Sequence, residues 1–107
     1  MDEAKVSEFF DSLGPKINAN PSRLSGMSAV YRFEIGDESY NVVIREGQAA
    51  VEKGAADPGD CTIRMARDDF GDLVTGKINP QVAFLTGKLK VSGDMGLALK
   101  LGDLLKG

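Results

Sequence analysis

Few residues of this 107-residue chain have side chains that support catalysis. It has no histidine and one cysteine, Cys61. Without an imidazole, Ser-His-Asp and Cys-His nucleophilic systems, histidine acid/base catalysis and histidine-ligated zinc are excluded. A single thiol builds neither a thiolate metal cluster nor an internal disulfide. Because Cys61 alternates with Ile63 and Met65, it is predicted as a small buried residue rather than a nucleophile.

Two acidic pairs remain as candidates. Asp68 and Asp69 stand at a predicted helix start, where carboxylates cap free N–H groups and face the positive end of the helix dipole. Asp57 and Asp60 flank a predicted turn. Paired acids can bind a cation, but neither pair has calcium-loop spacing, and the glycines between 87 and 96 match no phosphate-binding loop. We therefore expect structural acids, no metal, no cofactor and no enzymatic activity.

The elements around these residues begin with an amphipathic helix. Apolar residues recur at helical spacing from Val6 to Ile17, and Gly14 and Pro15 predict a kink or stop before Ile17. Residues 18–26 are predicted as a loop. Alternating apolar and polar residues then predict four strands with tight turns between them, over residues 27–35, 40–44, 49–52 and 61–65.

The second half changes to short helices. Asp68 or Asp69 is the predicted cap of a helix that ends at Gly76, and Asn79 with Pro80 predicts the start of another that ends at Gly87. Leu89 alternates with lysines in a predicted fifth strand. Asp94 then introduces a last helix.

The last helix is apolar on almost every side. Leucines at 97, 101, 104 and 105 form one stripe, and further apolar residues lie outside it. Such a helix is buried on several sides or covers something apolar. A core helix, a dimer contact and the wall or lid of a ligand site all remain open as interpretations.

Composition limits the class of protein. A hydrophobic fraction of 42% and a charged fraction of 27% fit one globular domain, predicted over residues 1–107. A net charge of −3 without a basic block argues against a nucleic-acid partner. No apolar run is long enough to span a membrane. The single cysteine, a charged start and the lack of a Ser-Lys-Leu ending predict a cytoplasmic protein.

Residues 76–94 read GKINPQVAFLTGKLKVSGD and are followed by MGLALKL. With Phe70, Leu73 and Val74 before it, this stretch closely resembles the sterol carrier protein 2 domain family. The resemblance covers the whole chain in element order and is most specific over residues 69–101. It implies an α/β fold of the α+β type, with a five-stranded mixed sheet covered by helices on one side and an internal hydrophobic tunnel.

The resemblance also implies a function without catalysis. The family's tunnel holds fatty acids, fatty acyl-CoA, sterols or other lipids, and needs no cofactor or metal. The predicted partners are such a lipid, transiently a membrane, and a partner enzyme; the alternative function is an assembly, dimerisation or substrate-presenting module for that enzyme. The implied lipid-binding residues, with Gln81 as the polar one, are Phe70, Leu73, Val74, Ile78, Gln81, Val82, Phe84, Leu85, Met95, Ala98 and Leu99.

Overall fold

The computed structural model describes residues 2–19, 28–46, 48–54 and 59–101. Helices and strands follow in the predicted order: α1 (Glu3–Ala19), β1 (Ala29–Ile35), β2 (Glu38–Arg45), β3 (Gln48–Lys53), β4 (Cys61–Met65), α2 (Arg67–Val74), α3 (Pro80–Leu85), β5 (Leu89–Gly93) and α4 (Met95–Leu99). The predicted loop from residue 20 onward, Asp57, and the last leucines, Leu104 and Leu105, lie outside the described residues.

The strands form one mixed sheet in the order β3-β2-β1-β4-β5. β1 and β4 run parallel, and the other three neighbouring pairs are antiparallel. Gly36 makes the tight turn between β1 and β2 with a φ of 60°, a conformation that glycine adopts without steric cost. The predicted five-stranded mixed sheet is therefore confirmed.

The two faces of the sheet differ in chemistry. Along β1, Tyr31, Phe33 and Ile35 are fully buried beneath the helices. On the opposite face, the Glu34 carboxylate accepts hydrogen bonds from the Nε atoms of Arg64 at 2.6 Å and Arg32 at 3.2 Å. These two guanidinium groups lower the pKa of Glu34. The core therefore lies on one side of the sheet, as the alternation predicts.

Phe10 is the centre of the core. Its ring stacks on Tyr40 and Phe70 at centroid distances of 4.2 and 5.5 Å, and lies 5.3 Å from Phe33. Aromatic pairs at these distances add to the stability already gained from burial. One residue of α1 thus joins β1, β2 and α2.

The predicted stop at Gly14 and Pro15 is wrong, because α1 continues through both residues to Ala19 and takes in residues 18 and 19 of the predicted loop. Gly14 brings the helix close to β3, since a β-carbon at this position would lie only 3.4 Å from the Ala49 carbonyl oxygen. Beyond it, the Asn18 side chain accepts a hydrogen bond from the Ala49 N–H at 2.7 Å and donates one to the Ala49 carbonyl at 3.2 Å. These contacts and the burial of Ile17 offset the helix cost of a proline, about 3 kcal/mol.

The predicted cap of α2 is also wrong. α2 begins at Arg67 with Ala66 as its N-cap, so Asp68 and Asp69 lie in the first turn instead. There they still face the positive end of the helix dipole. In this helix Phe70 is fully buried and stacks on Phe10 in the aromatic core.

We expect Phe10→Ala to lower the free energy of unfolding by about 3–5 kcal/mol, because it removes a ring with several close aromatic partners. Leu85→Ala is the control, since that side chain is 82% exposed and should cost little. Urea denaturation followed by circular dichroism measures both. Equal midpoints for the two variants would show that Phe10 is not the centre of the core.

Candidate functional site

An apolar cleft of about 280 Å³ opens between α3, β5 and α4. Nine of its lining residues are apolar and one, Gln81, is polar. The lining residues are Pro80, Gln81, Phe84, Leu85, Leu89, Val91, Met95, Ala98, Leu99 and Leu101. The cleft is open to solvent on one side, and an enclosed tunnel stays a prediction.

Helix α3 forms one wall. The Asn79 side chain caps it by accepting a hydrogen bond from the Val82 N–H at 2.8 Å, and Pro80 takes the first helical position, as predicted. Ala83 is fully buried against the core. Since Ala83 faces inward, Phe84 and Leu85 project into the cleft and toward solvent, with exposures of 44% and 82%.

Strand β5 contributes two residues to the lining. Leu89 is buried and Val91 half-buried, and both side chains line the cleft. Lys90 lies between them and points to the opposite face of the strand, because side chains alternate. The lysine therefore stays outside the cleft.

Helix α4 forms the other wall and depends on a close approach to β4. Gly93 has a φ of 95°, and a β-carbon there would lie 2.5 Å from the Asp60 carbonyl oxygen, so only glycine fits. The Asp94 N–H donates to that same oxygen at 2.9 Å. The Asp94 carboxylate then caps α4 by accepting from the Gly96 and Leu97 N–H groups.

A buried tyrosine also holds α4. The Tyr31 hydroxyl on β1 donates a 2.6 Å hydrogen bond to the Leu97 carbonyl oxygen. Burial raises the pKa of Tyr31, so the hydroxyl keeps its proton and remains a donor. No residue from Met95 to Leu99 is itself buried. Backbone and hydroxyl contacts therefore hold this wall together with the partly buried side chains of Leu97 and Ala98.

The structure brings together six of the eleven predicted site residues. Gln81, Phe84, Leu85, Met95, Ala98 and Leu99 line the cleft. Phe70 and Leu73 are buried in the core, and Val74 and Ile78 pack partly buried against it. Val82 is 43% exposed and lies outside the lining. Phe70, Leu73 and Val74 lie outside the cleft because α2 packs against the aromatic core. Val82 lies outside it because its side chain is on another side of α3 from that of Phe84.

Sequence reasoning missed four lining residues: Pro80, Leu89, Val91 and Leu101. The alternation of Leu89 and Val91 with lysines indicates that both side chains lie on one apolar face of a strand, and this pattern could have identified them. Leu101 is 1% exposed in the core and lines the cleft as well.

The cleft offers nine apolar side chains and one amide for contact with a ligand. Cys61 is 1% exposed on β4, as predicted, and burial raises the pKa of its thiol, which disfavours a reactive thiolate. Within residues 2–19, 28–46, 48–54 and 59–101, no three metal-ligating side chains come together. In that part of the chain, no helix is both long and apolar enough to cross a membrane.

A family model described as the SCP-2 sterol transfer family matches residues 10–106. The chain is 40% identical over 84 residues to the human sterol carrier protein 2, covering 73% of this chain and 15% of that protein. It is 34% identical over 113 residues to peroxisomal multifunctional enzyme A of Dictyostelium discoideum, covering 100% of this chain and 26% of that enzyme. This chain thus spans about a quarter or less of these two relatives.

The fold agrees with these sequence similarities. The apo form of sterol carrier protein 2 from Yarrowia lipolytica superimposes with a TM-score of 0.78 at 27% identity. The superposition covers 99% of this chain and 93% of that one. The predicted family and fold class are therefore confirmed.

We expect Tyr31→Phe to loosen α4, because it removes the hydrogen bond to the Leu97 carbonyl oxygen, worth about 1 kcal/mol. Amide hydrogen exchange should become faster in residues 95–101. Tyr40→Phe is the matched control, since its hydroxyl donates to Glu38 at the other side of the core. Unchanged exchange in Tyr31→Phe would show that the hydroxyl does not hold the wall.

Alkaline pH should destabilise the fold through its two tyrosines. Burial raises the pKa of Tyr31, and burial with the Glu38 hydrogen bond raises the pKa of Tyr40 to about 12. An unfolded tyrosine ionises near pH 10, so this stability is present below about pH 10 and is lost as pH rises through the folded values. Urea midpoints measured upward from neutral pH should fall above about pH 10, and less steeply in Tyr40→Phe. A midpoint constant to about pH 12 would contradict this.

Proposed function

This chain belongs to the SCP-2 sterol transfer family, and on that premise we propose that it binds one lipid by its hydrocarbon tail in the cleft between α3, β5 and α4, without catalysis. The observation that carries the proposal is the lining itself, nine apolar residues with a single amide. Fatty acids, fatty acyl-CoA and sterols share the tail or apolar body that such a lining accepts.

The driving force is transfer of the tail out of water. Burying about twelve methylenes at about 0.8 kcal/mol each releases about 10 kcal/mol, from which association and ordering remove at least about 4 kcal/mol. The difference, at most about 6 kcal/mol, corresponds to a Kd of tens of micromolar. Head-group contacts add little, because Gln81 is exposed and is the one polar side chain in the lining.

The cleft has to change shape to enclose a long tail. Its volume of about 280 Å³ is at the lower end of small-ligand sites, which are typically about 300–1,000 Å³. Since α4 has no buried residue, it is the wall that moves most easily. Displacement of α4 would lengthen the cleft into a tunnel and would also open the path for ligand exchange.

A second candidate function is presentation of a lipid to a partner enzyme. It is favoured by the relatives, since this chain matches only 26% of a multifunctional enzyme. The same cleft serves both functions, and they differ in whether the lipid leaves to a membrane or to an enzyme.

The free buried thiol of Cys61 fits a reducing compartment, which supports a cytoplasmic location.

Titration of delipidated protein with a fluorescent fatty acid tests the proposal, and native mass spectrometry identifies any lipid that co-purifies. We expect saturable binding of one molecule with a Kd of tens of micromolar, and similar affinity for the corresponding alcohol. A folded protein that shows no saturation up to the solubility of the probe would overturn the proposal.

Leu99→Asp should raise the Kd about tenfold or more, which is about 1.4 kcal/mol, because the tail would displace water from a carboxylate. The fold should persist, since Leu99 is 79% exposed. Val82→Asp is the matched control, an exposed apolar residue of α3 outside the lining. Equal effects of the two substitutions on fatty-acid binding would show that the cleft is not the site.

A further inference from the structure

Strand β3 is one edge of the sheet that the described residues form. The Gly54 N–H donates to the Ser39 carbonyl oxygen of β2 at 2.8 Å. In this antiparallel register, the even-numbered residues of β3 exchange hydrogen bonds with β2. The N–H and C=O groups of Ala49, Val51 and Lys53 therefore point away from the sheet.

A side chain of α1 takes the place of a neighbouring strand at the first of these residues. The Asn18 amide bonds both outward groups of Ala49, at 2.7 and 3.2 Å. Within residues 2–19, 28–46, 48–54 and 59–101, no group donates to or accepts from the main chain of Val51 or Lys53. We define the open edge as Val51, Glu52 and Lys53.

Hollows lie on both sides of the open edge. One, of about 240 Å³, lies between α1 and β3, and its lining includes Gly14, Pro15 and Val51. The other, of about 440 Å³, lies on the sheet face opposite the helices, and its lining includes Val43 and Glu52. Successive side chains of a strand point to opposite faces. The side chains of a strand added here would therefore enter the two hollows in turn.

We propose that the open edge binds an extended segment of another polypeptide as a sixth strand of the sheet. The main chain of that segment would bond the outward N–H and C=O groups of Val51 and Lys53. An apolar side chain opposite Val51 would enter the hollow beside Gly14 and Pro15. A basic side chain opposite Glu52 would pair with its carboxylate. The partner is thus a segment in which apolar and basic residues alternate.

A second copy of the chain fits the open edge poorly. If Val51 paired with Lys53 of the second copy, the two Glu52 carboxylates would lie directly opposite each other, and such like-charge pairs are destabilising. If Val51 paired with Val51, Lys53 of the second copy would need the groups of Ala49 that Asn18 already bonds. Charged residues on an edge strand disfavour pairing between identical copies, whereas a basic segment complements Glu52.

The open edge and the cleft lie at opposite sides of the sheet. Three strands separate β3 from β5, which corresponds to about 19 Å at about 4.8 Å between neighbouring strands. A segment bound to β3 therefore leaves the cleft accessible to a lipid. Binding at the edge goes beyond the proposed function and does not depend on it.

The first experiment titrates the full-length protein with two capped peptides and follows it by NMR. The basic probe is acetyl-Thr-Val-Lys-Val-Lys-Val-Thr-amide, and the acidic probe has glutamate in place of lysine. We expect saturable binding of the basic probe, at least about fivefold weaker binding of the acidic one, and slower amide exchange at Val51 and Lys53. A basic probe that does not saturate the protein, or binds without protecting these two amides, would overturn the proposal.

The second experiment removes one outward donor. Val51→Pro eliminates an N–H that the β2–β3 ladder does not use, and edge strands tolerate proline at such a position. We expect the basic probe to bind at least about fivefold more weakly. Val51→Thr is the matched control, because it keeps the N–H and the branched shape and should retain binding. Equal affinity in the two variants would show that the main chain of the edge is not the binding site.

The third experiment reverses a charge and remains informative if Val51→Pro does not fold. Glu52→Lys should change the preference from the basic to the acidic probe. Asp68→Lys makes the same change of net charge at an exposed position of α2 and should keep the preference for the basic probe. The same reversal in both variants would assign the preference to net charge and would overturn the proposal.

Two further measurements separate the edge from the cleft and from a dimer. Val51→Pro should bind the fluorescent fatty acid as wild type does; if wild type binds the fatty acid but not the basic probe, the edge proposal fails and lipid binding stands. Peptide binding without fatty-acid binding would leave the edge proposal standing alone. Analytical ultracentrifugation should show a monomer, and a dimer abolished by Val51→Pro would assign the open edge to a second copy and overturn the proposal.

Discussion

One face of a five-stranded sheet must be covered, and the described chain has a single long helix with which to cover it. α1, with 17 residues, packs over β3 and closes the core at that end through Phe10. The other end is covered by α3 and α4, which have six and five residues. Two short helices cannot bury the face of β5 completely, so an apolar cleft remains between them. The site is therefore a consequence of unequal covering of the sheet.

The walls of this cleft are fixed from outside the cleft. Asn79 caps α3, Gly93 approaches the Asp60 carbonyl oxygen, and Tyr31 donates to Leu97. Because these contacts hold the backbone, the lining side chains need not pack on each other to maintain the fold. Leu101 is the exception, since it is buried in the core and borders the cleft. A substitution there would change stability and binding together, whereas one at Leu99 separates the two.

The sequence predicts the sheet better than the site. Strict alternation along β1 allows one register against the core, and Asn79 with Pro80 allows one start for α3. Gly14 and Pro15 mislead, because the contacts of Asn18 and Ile17 that carry α1 past them come from distant parts of the chain. Within short helices such as α3, periodicity does not decide which side faces a ligand. Phe70 and Val82 therefore could not be told apart from Phe84 before the packing of α2 and α3 was known.

Opening of the cleft would depend on the small helix α4. α4 has no fully buried residue, although Leu97 and Ala98 pack partly buried against the core, so local opening of this helix is less costly than unfolding of the sheet. The Tyr31 hydrogen bond to the Leu97 carbonyl oxygen opposes this opening, because it ties α4 to β1 at the centre of the sheet.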